Sequence, residues 1–277
     1  MGCKQNPLLP GKAIVAEIRQ ETPDVKTLRV VAADGGELFD YQPGQCAMVS
    51  LFPVGEALFS ITSSPTRQGF LEFSIKNTGM LTRALHEIEP GAFIGVRGPY
   101  GKGFPYDLMK GKDLLFIGGG IALAPLRSLI NYCLDNRHEY GKIEIIYGAR
   151  SAADLVQRVE LLENWPKCTD THVYLTVDAA SPDWTGNVGF VPAFLEQLNP
   201  SPAGKITITC GPPVMIKFVL QSLAKMNYQP ENIFTTLEMK MKCGIGKCGR
   251  CNIGDKYVCK DGPVFSLAQL QQLPPEF

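Results

Sequence analysis

Two secondary-structure rhythms and one cysteine cluster predict a multidomain α+β and α/β chain. The expected architecture is an N-terminal antiparallel six-stranded β-barrel over 1–110, a doubly wound parallel sheet over 111–232, and a small C-terminal cysteine-loop domain over 233–277. The first rhythm is alternation with a period of two. Leu71, Phe73 and Ile75 interleave with Glu72, Ser74 and Lys76, the pattern of a half-buried strand. Ala13–Ile18, Thr27–Val31, Ala47–Leu51, Leu58–Thr62 and Phe93–Val96 read the same way. Turn signals separate them at Asp34-Gly35-Gly36, Gln42-Pro43-Gly44, Ser64-Pro65 and Glu89-Pro90-Gly91. Six short antiparallel strands suit a small barrel, interrupted by one short helix near Leu81–Ile88.

After Gly111 the second rhythm takes over. Asp113–Ile117 is an apolar strand, followed by a glycine turn and a helix running to about Cys133. Strands at Ile143–Tyr147, Val173–Val177 and Ile206–Cys210 alternate with helices near Asp154–Glu163, Val191–Leu198 and Val214–Lys225. Such alternation places a parallel sheet between two helical layers. Ile233–Leu237 adds a last strand. From Glu238 onward Gly, Cys and Lys dominate and the periodicity ends.

Composition narrows the function classes. Lys+Arg and Asp+Glu both number 27, so the net charge is zero and nucleic acid is not the expected partner. With 45% hydrophobic and 19% charged residues, the chain has apolar material for a core and is not disordered. The longest apolar run, Leu114–Leu126, contains three glycines and a proline and is too short to span a bilayer. Met1–Lys12 lacks the apolar stretch of a signal peptide, so a cytoplasmic location is expected.

Of nine cysteines, Cys3, Cys46, Cys133, Cys168 and Cys210 are scattered, whereas Cys243-x4-Cys248-x2-Cys251-x7-Cys259 is a cluster. The C-x4-C-x2-C start is the ligand spacing of plant-type [2Fe–2S] ferredoxins. Gly244, Gly246 and Gly249 let the backbone curl so that its N–H groups face the sulfurs. Lys242, Lys247 and Arg250 add positive potential. A structural zinc knuckle also uses four thiolates, but more often as two C-x2-C pairs. Spacing and glycine content favour iron–sulfur.

At the strand-to-helix turn, Gly118-Gly119-Gly120-Ile121-Ala122 would admit a diphosphate to the N–H groups of the following helix. No Gly-Lys-Ser/Thr follows, which excludes an NTPase P-loop. By itself this reads equally well as a tight turn. Two further strand ends, Tyr147-Gly148-Ala149-Arg150 and Cys210-Gly211-Pro212, strengthen it, because open α/β sheets bind ligands at such ends. In isolation Cys210 reads as a buried small apolar residue and Arg150 as a solvated charge. In the barrel half, Phe59-Ser60-Ile61-Thr62 pairs an aromatic with hydroxyls suited to a flat polar ring. Gly79-Met80-Leu81-Thr82 opens the short helix toward an anion. A half-buried strand and an ordinary helix cap are the plainer readings.

Taken in order with Gly98-Pro99-Tyr100-Gly101 and Glu238-Met239, these motifs resemble the ferredoxin–NADP reductase superfamily over nearly the whole chain. Within it the chain is similar to electron-transfer subunits of the dihydroorotate dehydrogenase type and to gamma subunits of cytoplasmic NiFe hydrogenases and sulfur reductases. The resemblance implies FAD on the barrel, NAD(P) on the α/β domain and a [2Fe–2S] cluster on Cys243, Cys248, Cys251 and Cys259. It implies that Ser60 and Cys210 position the reacting rings, with the NAD(P) diphosphate on Gly118–Ala122 and the nicotinamide near Cys210–Pro212. Arg150 is then a candidate for a 2′-phosphate. The family's flavin motif is Arg-x-Tyr-Ser. Here Phe59 and Ser60 match, but Ala57 stands where the Arg would be, leaving the FAD phosphates to Gly79–Thr82 and Arg83.

The implied activity is NAD(P)H-linked electron transfer to or from another redox subunit that docks near the cluster tail. Hydrogenase, sulfur or sulfite reductase, and heterodisulfide reductase are the partner types. Two alternatives are a stand-alone NAD(P)H-dependent flavin or ferredoxin reductase and a non-catalytic nucleotide-binding module with a zinc knuckle.

Overall fold

The computed structural model describes residues 6–182 and 184–274, so Cys3 lies outside it. The first sheet comprises β1 (Gly11–Thr22), β2 (Val25–Ala32), β3 (Cys46–Leu51), β4 (Gly55–Ser60), β5 (Leu71–Lys76) and β6 (Phe93–Tyr100). Its order is β4-β3-β6-β1-β2-β5, with every pair antiparallel. The segment after β4 joins the two edges. Thr62 N–H donates to Glu72 O at 2.9 Å, and Glu72 N–H donates to Ser63 Oγ at 3.1 Å. Leu71, Phe73 and Ile75 pack in the barrel core with Val15, Leu28 and Val49. The polar side of β5, predicted to face solvent, is instead covered: Glu72 and Ser74 are buried too. The reason is the second unit, which lies against that face. Helix α1 (Met80–Glu87) packs on β3 and β4.

The second sheet contains β7 (Asp113–Gly119), β8 (Ile143–Ala149), β9 (Thr171–Val177), the short β10 (Asn187–Val188), β11 (Lys205–Cys210) and β12 (Ile233–Thr236). Beyond the two-residue hairpin of β13 (Asn252–Ile253) and β14 (Lys256–Tyr257), β15 (Val264–Ser266) completes it. The order β10-β9-β8-β7-β11-β12-β15 is parallel except for antiparallel β15. Helix α2 (Leu123–Asp135) covers one face together with Leu155, Leu161 and Trp165. Helices α3 (Val191–Leu198) and α4 (Pro213–Lys225) cover the other. Both faces are therefore dry, which accounts for the continuous apolar runs of β7 and β8.

The helix expected near Asp154–Glu163 is broken. A 3-10 turn at Ala152–Asp154 and a π-turn at Glu160–Asn164 flank Gln157, whose φ is 55°. Barrel contacts explain the break. Gln157 N–H donates to Glu21, and its side-chain amide reaches Thr27 and Ser74 at 3.1 and 3.2 Å.

The cysteine loop stands off the sheet between β12 and β15 and packs on the barrel. Its small core joins Met241, Cys251 and Cys259 to Cys46, Met48 and Tyr100. Among the described residues no helix is long and apolar enough to cross a membrane.

Candidate functional site

A cleft of 790 Å³ opens at the carboxyl ends of β7, β8 and β11. Its floor is Gly119–Ala122, Gly148–Arg150 and Gly211–Pro213, and Thr22, Asp24 and Lys76 of the barrel form one wall. The amino ends of α3 and α4 open beside this floor, and α2 begins directly after the glycine turn. Their unpaired N–H groups give the cleft a positive backbone potential. Gly120 takes φ 56°, a conformation that other residues rarely adopt, and this directs the turn into α2. A Cβ on Gly148 would lie 2.3 Å from Val191 Cγ2, so glycine there lets α3 approach the strand.

Two of the residues read from sequence support the cleft from below. Tyr147 is buried, and its hydroxyl donates to Gly120 O at 3.0 Å, fastening the glycine turn. Cys210 is also buried, 2.7 Å from the Thr236 hydroxyl, and burial raises its thiol to about 12. Gly211 and Pro212, not Cys210, line the cleft. Arg150 is well exposed and engaged with Asp154 at 2.6 Å, with Asp24 at 3.9 Å. Asp178, Phe190 and Glu238 also line the cleft and were not anticipated. Asp178 directly follows β9, so the strand-end rule applied to one more strand would have found it.

On the barrel, Phe59 and Ser60 are half-buried at the end of β4, and Ile61 and Thr62 are buried. Helix α1 packs against β3 and β4, which brings Gly79–Thr82 to the same side of the barrel as β4. The Thr82 hydroxyl is committed to the helix start. It accepts the N–H groups of Thr78 and Gly79 at 2.9 and 2.8 Å and donates to Gly79 O at 3.0 Å. Thr82 thus shapes the turn, and the first N–H groups of α1 are what the turn offers to an anion.

Three strands link this side to the cysteine loop. Cys46 on β3 is in register with Ser60 on β4 and with Tyr100 on β6. At normal strand spacing Ser60 and Tyr100 are about 10 Å apart across the sheet. The Tyr100 ring lies against Gly244, where a Cβ would come within 2.7 Å of it. The loop itself turns N–H groups onto sulfur. Cys243 Sγ accepts from Ile245, Lys247 and Cys248 at 3.5, 3.3 and 3.4 Å, and Cys259 Sγ accepts from Gly246 at 3.1 Å. Burial opposes the Cys243 thiolate, but these donors outweigh it and bring the thiol down to about 6. Cys259, buried against Cys251, moves the other way, to about 12. Cys251 and Cys259 share the loop's small core, whereas Cys248 is exposed. Among the described residues no three Cys, His, Asp or Glu side chains converge as a single-ion site.

Three family models match successive stretches of the chain. Residues 12–105 match the oxidoreductase FAD-binding domain and 116–221 the oxidoreductase NAD-binding domain. Residues 238–271 match the iron–sulfur cluster binding domain of dihydroorotate dehydrogenase B. The chain is 41% identical to sulfhydrogenase 1 subunit gamma of Pyrococcus furiosus over 92% of its own length and 89% of that protein. It is 35% identical to a probable dihydroorotate dehydrogenase B electron transfer subunit of Methanocaldococcus jannaschii, over 91% and 87%. The chain belongs to this family of electron-transfer subunits.

It is accordingly an NAD(P)H-dependent oxidoreductase with FAD-binding, NAD-binding and iron–sulfur-binding domains. The fold is shared with a solved NADH-dependent reduced ferredoxin–NADP oxidoreductase, at a TM-score of 0.76 and 22% identity over 99% of this chain and 91% of that one. Both of these relatives are named as subunits, one of a sulfhydrogenase and one of a dihydroorotate dehydrogenase.

Proposed function

We propose that the chain carries electrons between NAD(P)(H) and a second redox subunit in a cytoplasmic complex, of the hydrogenase, sulfur or sulfite reductase, or heterodisulfide reductase type. FAD supplies the exchange between a two-electron hydride carrier and a one-electron [2Fe–2S] centre. The observation that favours this reading is the Ser60–Cys46–Tyr100 register: Ser60 ends β4, and Tyr100, two strands away on β6, carries the ring against which Gly244 of the cysteine loop packs.

The chain's own residues divide the work. Gly119–Ala122 and the α2 N-terminus receive the NAD(P) diphosphate, with Gly118 buried behind them, and Tyr147 holds that turn in place. Gly148, Ala149 and Arg150 border the ribose side of the cleft. Gly211 and Pro212 bound the nicotinamide end, with Cys210 positioning them from below through Thr236. Phe59 and Ser60 present the barrel's face to the flavin, with Ile61 and Thr62 buried behind them. The first turn of α1, shaped by Thr82, takes the FAD phosphates in place of the arginine that Ala57 replaces. Thr82→Val is expected to purify with a reduced share of flavin, and retention of full flavin would remove the turn from the site.

Cys243, Cys248, Cys251 and Cys259 hold the cluster. The backbone N–H groups turned onto the Cys243 and Cys259 sulfurs suit thiolate ligands, and four thiolates are what two irons need. The exposed side of the loop, with Cys248 and Arg250 at the surface, is where the partner docks.

Anaerobic size-exclusion of material from the native cell tests the subunit reading. Co-elution with a second redox protein that accepts electrons from NAD(P)H is expected. A lone monomer that reduces ferredoxin at full rate would instead establish the stand-alone reductase.

A further inference from the structure

Arg97, on β6, is buried in the joint between the barrel and the cysteine loop, with a side chain only 5% exposed. Its guanidinium has five N–H groups, and the structure gives each a partner. Nε and one Nη2 hydrogen reach the two carboxylate oxygens of Glu56 at 3.0 and 2.7 Å. Nη1 donates to the Tyr100 hydroxyl at 2.7 Å and to the Cys243 carbonyl at 2.9 Å. Nη2 also donates to the Lys242 carbonyl at 2.7 Å. One buried cation is thus fixed against the backbone of the first cluster-loop cysteine, with a single carboxylate as counter-charge.

We infer that Arg97 is a positioning residue that also sets the reduction potential of the cluster, with Glu56 as its opposing control. The inference rests on the proposal that the four cysteines hold a [2Fe–2S] centre. Reduction adds one negative charge. A fixed positive charge nearby favours the reduced form and raises the potential, whereas a fixed negative charge lowers it. Burial keeps the Arg97 charge from being screened away by solvent, whereas Glu56, with its side chain 36% exposed, is screened more and has the smaller effect. A purely mechanical clamp makes a different prediction, since loosening it from either side would change the cluster in the same way. An electrostatic pair moves it in opposite directions.

The test is an EPR-monitored redox titration of the purified, cluster-loaded chain as wild type, Arg97→Gln, Arg97→Lys and Glu56→Gln. Iron and sulfide are measured on each sample first. At the wild-type midpoint, Arg97→Gln is expected to lower the reduced-to-oxidised ratio about tenfold, which for a one-electron couple is a readily measured shift. Arg97→Lys, which keeps the charge but loses the fork, should lower it less. Glu56→Gln should raise it severalfold. If Arg97→Gln does not retain a cluster, Glu56→Gln decides alone. A raised ratio supports the assignment, and an unchanged or lowered one overturns it. Unmoved potentials, or shifts of both charge variants in one direction, overturn it as well. A wild-type chain with iron and sulfide but unmoved variants defeats this inference alone, whereas a wild type without them defeats the cluster reading beneath it.

Discussion

The barrel is joined to its two neighbours by buried arginines, and the two joints are built differently. Arg127, on α2, meets the barrel through Glu72 at 2.5 Å and the Thr62 carbonyl at 3.1 Å. Its other donors grip Glu160 at 2.6 and 2.9 Å. Ser128 adds a bond to the Ser63 carbonyl at 2.6 Å. Two carboxylates therefore answer one guanidinium, and Arg19 and Arg29, which share Glu72, are themselves answered by Glu17 and Glu21. Arg97 has one carboxylate and gives two donors to carbonyls of the cysteine loop. The first joint is electrically closed and fixes the helix that follows the nucleotide turn onto the strand end that follows Ser60. The second leaves charge directed at the cluster. Similar parts thus serve alignment at one interface and potential at the other.

The sharpest way to break this comparison is at Arg127. Removing one partner of a buried pair strands the others, at a cost of about 3–5 kcal/mol. Arg127→Ala should therefore lower the melting temperature by roughly 10 °C in a calorimetric scan, with iron and sulfide content retained. A variant that melts within a degree or two of wild type would show that the ion cluster is not the clamp.

The same joint has a pH signature. Burial pushes the Glu72 carboxyl up, but Arg127 and Arg19 overcome it and hold it at about 2, against an ordinary 4.5. Its folded-state contribution is complete above the unfolded value and is lost as pH falls from 4.5 toward 2. Glu72→Gln should be less stable at pH 7 and lose stability less steeply over that window, as chemical denaturation at stepped pH would show. Equal slopes would assign the acid transition to other carboxylates.

The smallest effect belongs to the third arginine. Arg150 is 68% exposed, and its pair with Asp154 is an i,i+4 surface bridge worth about 0.3–0.5 kcal/mol. Asp24, Asp154 and Asp178 surround it, an acidic corner that opposes a 2′-phosphate. NADH should therefore be the better substrate. Asp154→Asn should raise kcat/KM for NADPH a fewfold, with stability unchanged within about 0.5 kcal/mol. A clear NADPH preference in the wild type would reverse this assignment.

What the sequence disclosed follows the range of the interactions. The cysteine spacing and the glycine turn are local, and both were legible along with the strand rhythm. The joints were not. Arg97 reaches Glu56 and Cys243 across 41 and 146 positions, and Arg127 reaches Glu72 across 55. No local pattern marks an arginine as buried when its partners are that distant. Cys210 had two readings, a buried small apolar residue and a group beside the reacting rings; its side chain is buried and faces Thr236 of the adjacent β12. At Thr82 the plainer of the two readings, a helix cap, is what the hydroxyl's partners show, and they all lie within four residues.

Passage of electrons from a nicotinamide to a cluster through a flavin in one chain is tested most directly by an anaerobic visible spectrum of the purified protein, taken before and after addition of NADH. Flavin and iron–sulfur absorption are expected to bleach together. A colourless protein that carries zinc, or a flavin that bleaches while the iron–sulfur bands stay oxidised, would contradict it.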